Sequence, residues 1–231
     1  MTAPAPRIGL LVPINNTTME DELLAWLPAG STCRTLRIPR QKGLLTLADI
    51  PAYAAKGVEI AGSFRDDPVD LVVYGCTAAG ILAGRQRDAE IVAALAEATG
   101  RPAVSTVNAM LAWLAEVGAR NIALVTPYQD DVNTQLCRLM DSCGIGVRVL
   151  SSFKTQSVDE LGRITAEQVA ARARESMRDD CDAMFVACSQ LPTQAILARL
   201  RREFGRPVSS SIHATAWQAC RTLGISLAEG A

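Results

Sequence analysis

An α/β fold built from two pseudo-symmetric halves, each a parallel sheet flanked by helices, is what this sequence predicts. Two observations predict it. Apolar runs of strand length alternate with runs of helix length along the chain, the pattern of parallel sheets covered by helices. Three stretches then recur in the same order: "RIGLLVPINN" with "NIALVTPYQDD", "VDLVVYGCTAAG" with "CDAMFVACSQLPT", and "GRPAVSTVNAMLAWLAEVG" with "GRPVSSSIHATAWQACRTLG". The members of each pair lie about 105–115 residues apart, and three echoes in register point to an internal duplication. The duplication predicts an N-terminal half over 1–118 and a C-terminal half over 119–231. The terminal helix of each half is free to cross over, and the ligand cleft falls between the halves.

The elements follow in order. The unbroken apolar run at 7–13 reads as a buried strand. Residues 17–27 read as a helix: Thr17 or Thr18 can cap it, acids fill its first turn and Pro28 stops it. Residues 32–39 alternate as a strand does, and 50–64 are helical despite Gly57. A short buried strand at 70–75 precedes a helix at 85–100, a strand at 102–106 and a helix at 107–118. The second half repeats the plan: strand 121–127, helix 130–144, strand 146–151, helix 164–180, strand 182–188, helix 193–205, strand 207–211 and helix 213–224.

Composition narrows the function. The formal net charge is −1 over 231 residues, so nothing basic argues for a nucleic-acid partner. Apolar residues make up 49% and aromatic residues 4%, so aliphatic and alanine packing must build the core. The N-terminus lacks the apolar segment and cleavage site of a signal peptide, and no stretch approaches the roughly 20 apolar residues of a membrane span. A cytoplasmic protein without a membrane partner is expected. Seven cysteines, an odd number with no C-x-x-C, and a single histidine argue for reduced thiols and against both a disulfide framework and a zinc site. No metal and no cofactor is expected; "GIGVRV" and "GCTAAG" both lack the residues and context of a nucleotide loop.

In open parallel sheets, ligands sit beyond the carboxyl ends of the strands. Four loops qualify here: "PINNTT", "GCTAAG", "TPYQDDVN" and "ACSQLPT". Cys76 and Cys188 end matched strands, so duplication places the two thiols on opposite sides of one cleft. They are the catalytic candidates; the other five cysteines have no such partnership and read as structural. Only the thiolate is a good nucleophile or base. No Lys, Arg or His stands within several residues of either thiol, so activation must come from helix-start N–H groups, loop hydroxyls or residues distant in sequence. The loops carry uncharged donors, among them Asn15, Asn16, Thr77, Tyr128, Ser189, Gln190 and Thr193, which with helix N-termini can hold a carboxylate. His213 reads as a helix-start residue, since its counterpart in the first half is Asn108. Glu20, Asp21 and Glu22 read as partners of a helix dipole, and Asp130 and Asp131 as helix caps.

The paired cysteines and the loops around them resemble the aspartate/glutamate racemase superfamily, cofactor-independent enzymes with one cysteine from each half at a central cleft. Within it, "VPINNTTMEDEL", "TPYQDDVN" and "CSQLPT" are similar to the maleate cis–trans isomerase and arylmalonate decarboxylase branch. The resemblance implies that Cys76 and Cys188 are the reactive thiols and that Asn16 and Tyr128 contact a substrate carboxylate. It also implies that Thr77, Ala78, Ser189 and Gln190 lie in the loops cradling carboxylate oxygens. Arylmalonate decarboxylases carry glycine where Cys76 stands, which disfavours simple decarboxylation. The resemblance further implies a homodimer acting on a small carboxylic acid. Maleate-type isomerisation by thiolate addition and elimination leads. Amino-acid racemisation by two-thiol proton transfer, decarboxylation of the arylmalonate type, and a non-enzymatic small-acid binder stand as alternatives.

Overall fold

The computed structural model describes residues 5–40 and 43–228. Strands β1 (Arg7–Pro13), β2 (Thr32–Ile38), β3 (Leu71–Tyr74) and β4 (Ala103–Ser105) form a parallel sheet in the order β2-β1-β3-β4. Strands β5 (Asn121–Thr126), β6 (Gly146–Ser152), β7 (Ala183–Val186) and β8 (Val208–Ser210) form a second in the order β6-β5-β7-β8. The two orders coincide when each strand is paired with the one four later, as the sequence echoes require. The central strands are buried on both faces, with Ile8, Leu10, Leu11, Ile122, Leu124 and Val125 fully inaccessible. That burial explains why they read as continuous apolar runs instead of alternating ones. The strand pairing itself departs from the repeat where Arg148 is bulged out of the β5–β6 register.

Nine α-helices are present among the described residues: α1 (Met19–Trp26), α2 (Ile50–Ala61), α3 (Thr77–Thr99), α4 (Thr106–Glu116), α5 (Asp130–Ser142), α6 (Val158–Gly162), α7 (Ala166–Ser176), α8 (Gln194–Phe204) and α9 (Ser211–Leu223). Helix α4 packs along its repeat partner α9, and α9 also touches β3 and β4 of the first sheet. Helix α1 packs on α9 and α8, and α3 on α5, so the halves share one core. His213 sits in that shared core. Its ring meets Trp26 edge-on at 4.6 Å and Trp113 at 6.4 Å, and its nitrogens pair with Ser209 Oγ (2.7 Å) and Arg201 Nη2 (2.8 Å). Burial and the Arg201 charge push its pKa down to about 3. It is a neutral wedge, in keeping with its reading as a non-catalytic residue.

Several expectations need correction. Helix α3 begins at Thr77 instead of 85, immediately after Cys76. A first segment of about two turns runs to Gly84, whose φ of 75° breaks the helix before it resumes. The run "TAAG" of small residues has no amphipathic period, so this segment was invisible to pattern reading. Helix α6 was likewise missed, being five residues long. The caps also differ. Neither Thr17 nor Thr18 caps α1 with its own side chain oxygen: Asn16 Oδ1 accepts from the N–H groups of Thr18 (3.1 Å) and Met19 (2.9 Å). Glu22 leaves its own helix and accepts from Thr193 N–H (2.7 Å) and Thr193 Oγ1 (3.0 Å) at the start of α8. Neither Asp130 nor Asp131 caps the start of α5.

Candidate active site

Each thiol follows the carboxyl end of the third strand of its sheet. Beyond β3, Gly75 donates to Leu11 O (2.7 Å); beyond β7, Ala187 donates to Val125 O (2.8 Å). Gly75 must be glycine because a Cβ there would meet Met19 Sδ at 2.6 Å and Leu11 O at 2.9 Å. This close approach delivers Cys76 to the start of α3. Cys188 follows Ala187 into a tight turn ahead of α8.

The two cysteine loops are tied directly together. Ser189 Oγ donates to Gly75 O (2.8 Å), joining the residue after one thiol to the residue before the other. Asn16 Nδ2 donates to Ser189 O (3.0 Å). Gln190 Oε1 accepts from Thr17 N–H (2.9 Å), and Gln190 Nε2 donates to Thr17 Oγ1 (3.0 Å) and Thr18 Oγ1 (3.2 Å). The side chains of Ser189 and Gln190 are therefore engaged with the opposite half, and Gln190 supplies part of the α1 cap. Thr193 turns toward Glu22 of the opposite half and toward Ser210 of its own.

Cys76 and Cys188 line one cavity of about 160 Å³. That is small beside the roughly 300–1,000 Å³ of a site for drug-sized ligands. Asn15, Asn16, Thr77, Ala78, Tyr128, Ser189 and Gln190 line it too, whereas Thr193, also read as a loop donor, does not. The four loops expected to build it all contribute.

Both thiols are buried, and burial raises the pKa of each, that of Cys188 to about 11. Groups that favour the thiolate surround each sulfur. Ala79 N–H, the Tyr53 hydroxyl, the Arg40 charge and Ala78 N–H act on Cys76. Gln190 N–H, at 3.4 Å from the sulfur, the Tyr128 hydroxyl and Leu191 N–H act on Cys188, against the charge of Cys76. The Tyr128 hydroxyl lies beside both Cys188 and Thr77. The hydroxyls of Tyr53, Tyr128 and Thr77 are buried without a well-formed hydrogen bond among the described residues. Buried polar groups are ordinarily paired, so donors left over beside two thiols are suited to a ligand's oxygens.

Sequence reading missed Tyr53 on α2 and the residues that follow the outer strands: Arg40, Leu44, Leu45 and Thr46 after β2, and Thr155, Val158 and Leu161 after β6. The available signal was the strand-end rule itself, applied to the outer strands as well as the inner ones. Among the described residues, no group of three or more His, Cys, Asp or Glu side chains is placed to hold a metal, and no helix is long and apolar enough to cross a membrane.

A family model described as arylmalonate decarboxylase matches residues 52–231. The chain is 27% identical over 230 residues to a maleate isomerase of Nocardia farcinica, covering 96% of this chain and 92% of that one. It is 31% identical over 144 residues to an arylmalonate decarboxylase of Bordetella bronchiseptica, covering 61% and 60%. A solved structure of Nocardia farcinica maleate cis-trans isomerase, a cysteine-to-serine mutant with a covalently bound succinylcysteine intermediate, matches with a TM-score of 0.88. Its identity is 26% over 96% of this chain and 94% of that one. A structure of arylmalonate decarboxylase shares the fold, with a TM-score of 0.81 at 24% identity over 98% and 94%.

Proposed function

The chain belongs to the arylmalonate decarboxylase family, and from that premise we propose that it is a cofactor-independent isomerase of a small dicarboxylic acid, using two cysteines for maleate-type cis–trans isomerisation. The observation that carries the reading is the pairing of Cys76 and Cys188 on one small cavity beside unpaired buried hydroxyls. The maleate isomerase relatives, one with a succinylcysteine intermediate, support it.

The steps follow from the groups present. Cys76, as thiolate, adds its sulfur to one carbon of the double bond, and the electron pair moves onto the neighbouring carboxylate as an enediolate. The Tyr128 and Thr77 hydroxyls and the N–H groups at the start of α3 hold the carboxylate where that charge develops, while Asn16 lines the cavity with its amide bonded to Ser189. Cys188 gives its proton to the other carbon, leaving a succinyl thioether. The former double bond is now single and rotates. Cys188 takes a proton back from the same carbon, the C–S bond breaks, and the trans acid leaves with Cys76 again a thiolate. Two thiols are required, one as nucleophile and one as acid and base.

NMR of the protein with maleate in D₂O tests this. Fumarate should accumulate, and a Cys188→Ala variant should retain a succinyl mass on Cys76 that Cys76→Ala never acquires. Normal turnover by Cys76→Ala would refute the nucleophile. No reaction of maleate, with deuterium entering the α-carbon of aspartate or glutamate, would replace isomerisation by two-thiol racemisation.

A further inference from the structure

Two charged side chains line the cavity among the described residues, Arg40 and Asp131. Asp131 is exposed and its Oδ1 accepts from the next backbone N–H, that of Val132 (2.8 Å). Arg40 is half-buried, two residues beyond β2, and its Nε donates to Asn15 Oδ1 (3.1 Å), another side chain on the cavity wall. Among the described residues its two Nη nitrogens have no hydrogen-bond acceptor and no carboxylate lies within salt-bridge range. Asp49 feels the charge at longer range and is held by Thr46. Toward the described residues, the arginine is thus a guanidinium fixed at one nitrogen, with its planar donor edge uncommitted, on the wall of a small cavity that also carries Cys76. A guanidinium edge recognises a carboxylate through two parallel charge-assisted hydrogen bonds, a geometry that an amide or ester cannot repay.

We propose that Arg40 is the specificity-determining contact for a second carboxylate, so that the site selects small dicarboxylate dianions over the corresponding monoanions. The inference rests on the proposed isomerase reading for its substrate class. One carboxylate sits against Tyr128, Thr77 and the start of α3, and the other reaches Arg40 across the cavity. The reacting carbons then lie between them, beside Cys76. Arg40 acts as a binding residue that sets which acids are held in reach of the thiols.

The test compares maleate with maleamate, which replaces one carboxylate by a neutral amide of the same shape. Wild-type protein should favour maleate in kcat/KM by about ten- to a hundredfold, the range of a charge-assisted contact. Arg40→Gln should bring that ratio to within about threefold, chiefly by raising KM for maleate, and Arg40→Lys should restore part of it. Arg40 acting only as a brace for Asn15 would slow both substrates equally and leave the ratio intact; that result overturns the proposal. A second measurement keeps this separate from the reaction itself. Succinate and succinamate are compared as protectants of Cys76 and Cys188 against iodoacetamide, in wild type and Arg40→Gln. A preference for succinate that disappears in Arg40→Gln supports the contact even where maleate is not turned over. Equal protection by both ligands in wild type overturns it.

Discussion

Replacing Tyr128 by Phe should slow alkylation of Cys188 without changing how steeply the rate climbs with pH. Burial pushes the Cys188 thiol up to about 11, against the help of Gln190 N–H and the Tyr128 hydroxyl. At pH 7 the thiolate is then roughly one part in 10⁴, and ionising it costs about 5 kcal/mol, at 1.36 kcal/mol per pH unit. A hydrogen bond to a charged group contributes roughly 1.5–3 kcal/mol, so losing the phenol should raise the thiol by about one to two units. The assay is iodoacetamide labelling between pH 7 and 10, followed by mass spectrometry of the Cys188 peptide. A Cys76→Ser background removes the neighbouring thiol's charge, which also raises Cys188. Wild-type labelling should climb about tenfold per pH unit, and the Tyr128→Phe line should run parallel, about ten- to a hundredfold lower. A wild-type rate that levels off below pH 9 would mean a thiolate poised in the empty site and would refute the burial argument. Superimposed lines would show that the phenol does not stabilise the sulfur.

Two other perturbations have signs fixed by the structure. Burial raises the Asp88 carboxyl to about 6, against its hydrogen bond from Ser105; relative to the ordinary 3.8 that destabilises the fold by about 3 kcal/mol above pH 6, a cost relieved as pH falls through 6 toward 3.8. Asp88→Asn should therefore raise the urea midpoint at pH 8 by the equivalent of roughly 1–3 kcal/mol and by almost nothing at pH 4; an equal gain at both would rule out the charge as the cause. Ser189→Ala removes the hydroxyl that joins the two cysteine loops and leaves Gly75 O short of its donor. Stability should fall by about 1–3 kcal/mol in urea titration, and kcat on maleate should fall further than KM rises if the bond sets the spacing of the thiols.

The sheets were legible in the sequence because their inner strands are covered on both faces, and only an unbroken apolar run survives such burial. That Cys76 and Cys188 face one cavity was legible for a related reason: a duplicated strand fixes where the residue after it is placed, so matched positions imply matched placement. Helix caps were not legible. The α1 start is held by the nearby Asn16 and, just before it at Thr17, by Gln190 of the opposite half, and the α8 start is held by Glu22, also from the opposite half. Local capping rules see only nearby residues, and Glu22 therefore read as a partner for its own helix dipole. Tyr53 escaped because its ring belongs to α2, behind Cys76, where no loop signal marks it. Arg40 was not legible because the inner strands carry the duplicated loops, whereas the cavity is walled by the loops after the outer strands as well.

The cross-half bonds also explain why two similar halves make one site and not two. A duplicated unit could present its cysteine alone, as a single thiol at the end of a strand. Here Ser189 bonds to Gly75 and Asn16 bonds to Ser189, while Gln190 and Glu22 each satisfy helix-start donors of the opposite half. Separating the halves would strand buried donors and acceptors on both sides, each worth about 1–3 kcal/mol unpaired. The groups that place one thiol are therefore the same groups that hold the other half in register. The two sulfurs are not exact copies of one another, because Cys76 opens a helix directly and Cys188 precedes a turn. Arg40 acts on Cys76, whereas Cys188, at about 11, is held against the charge of Cys76. That asymmetry favours the proposed roles, with Cys76, the sulfur near the cation, as nucleophile and Cys188 as the thiol that holds a proton and gives it up.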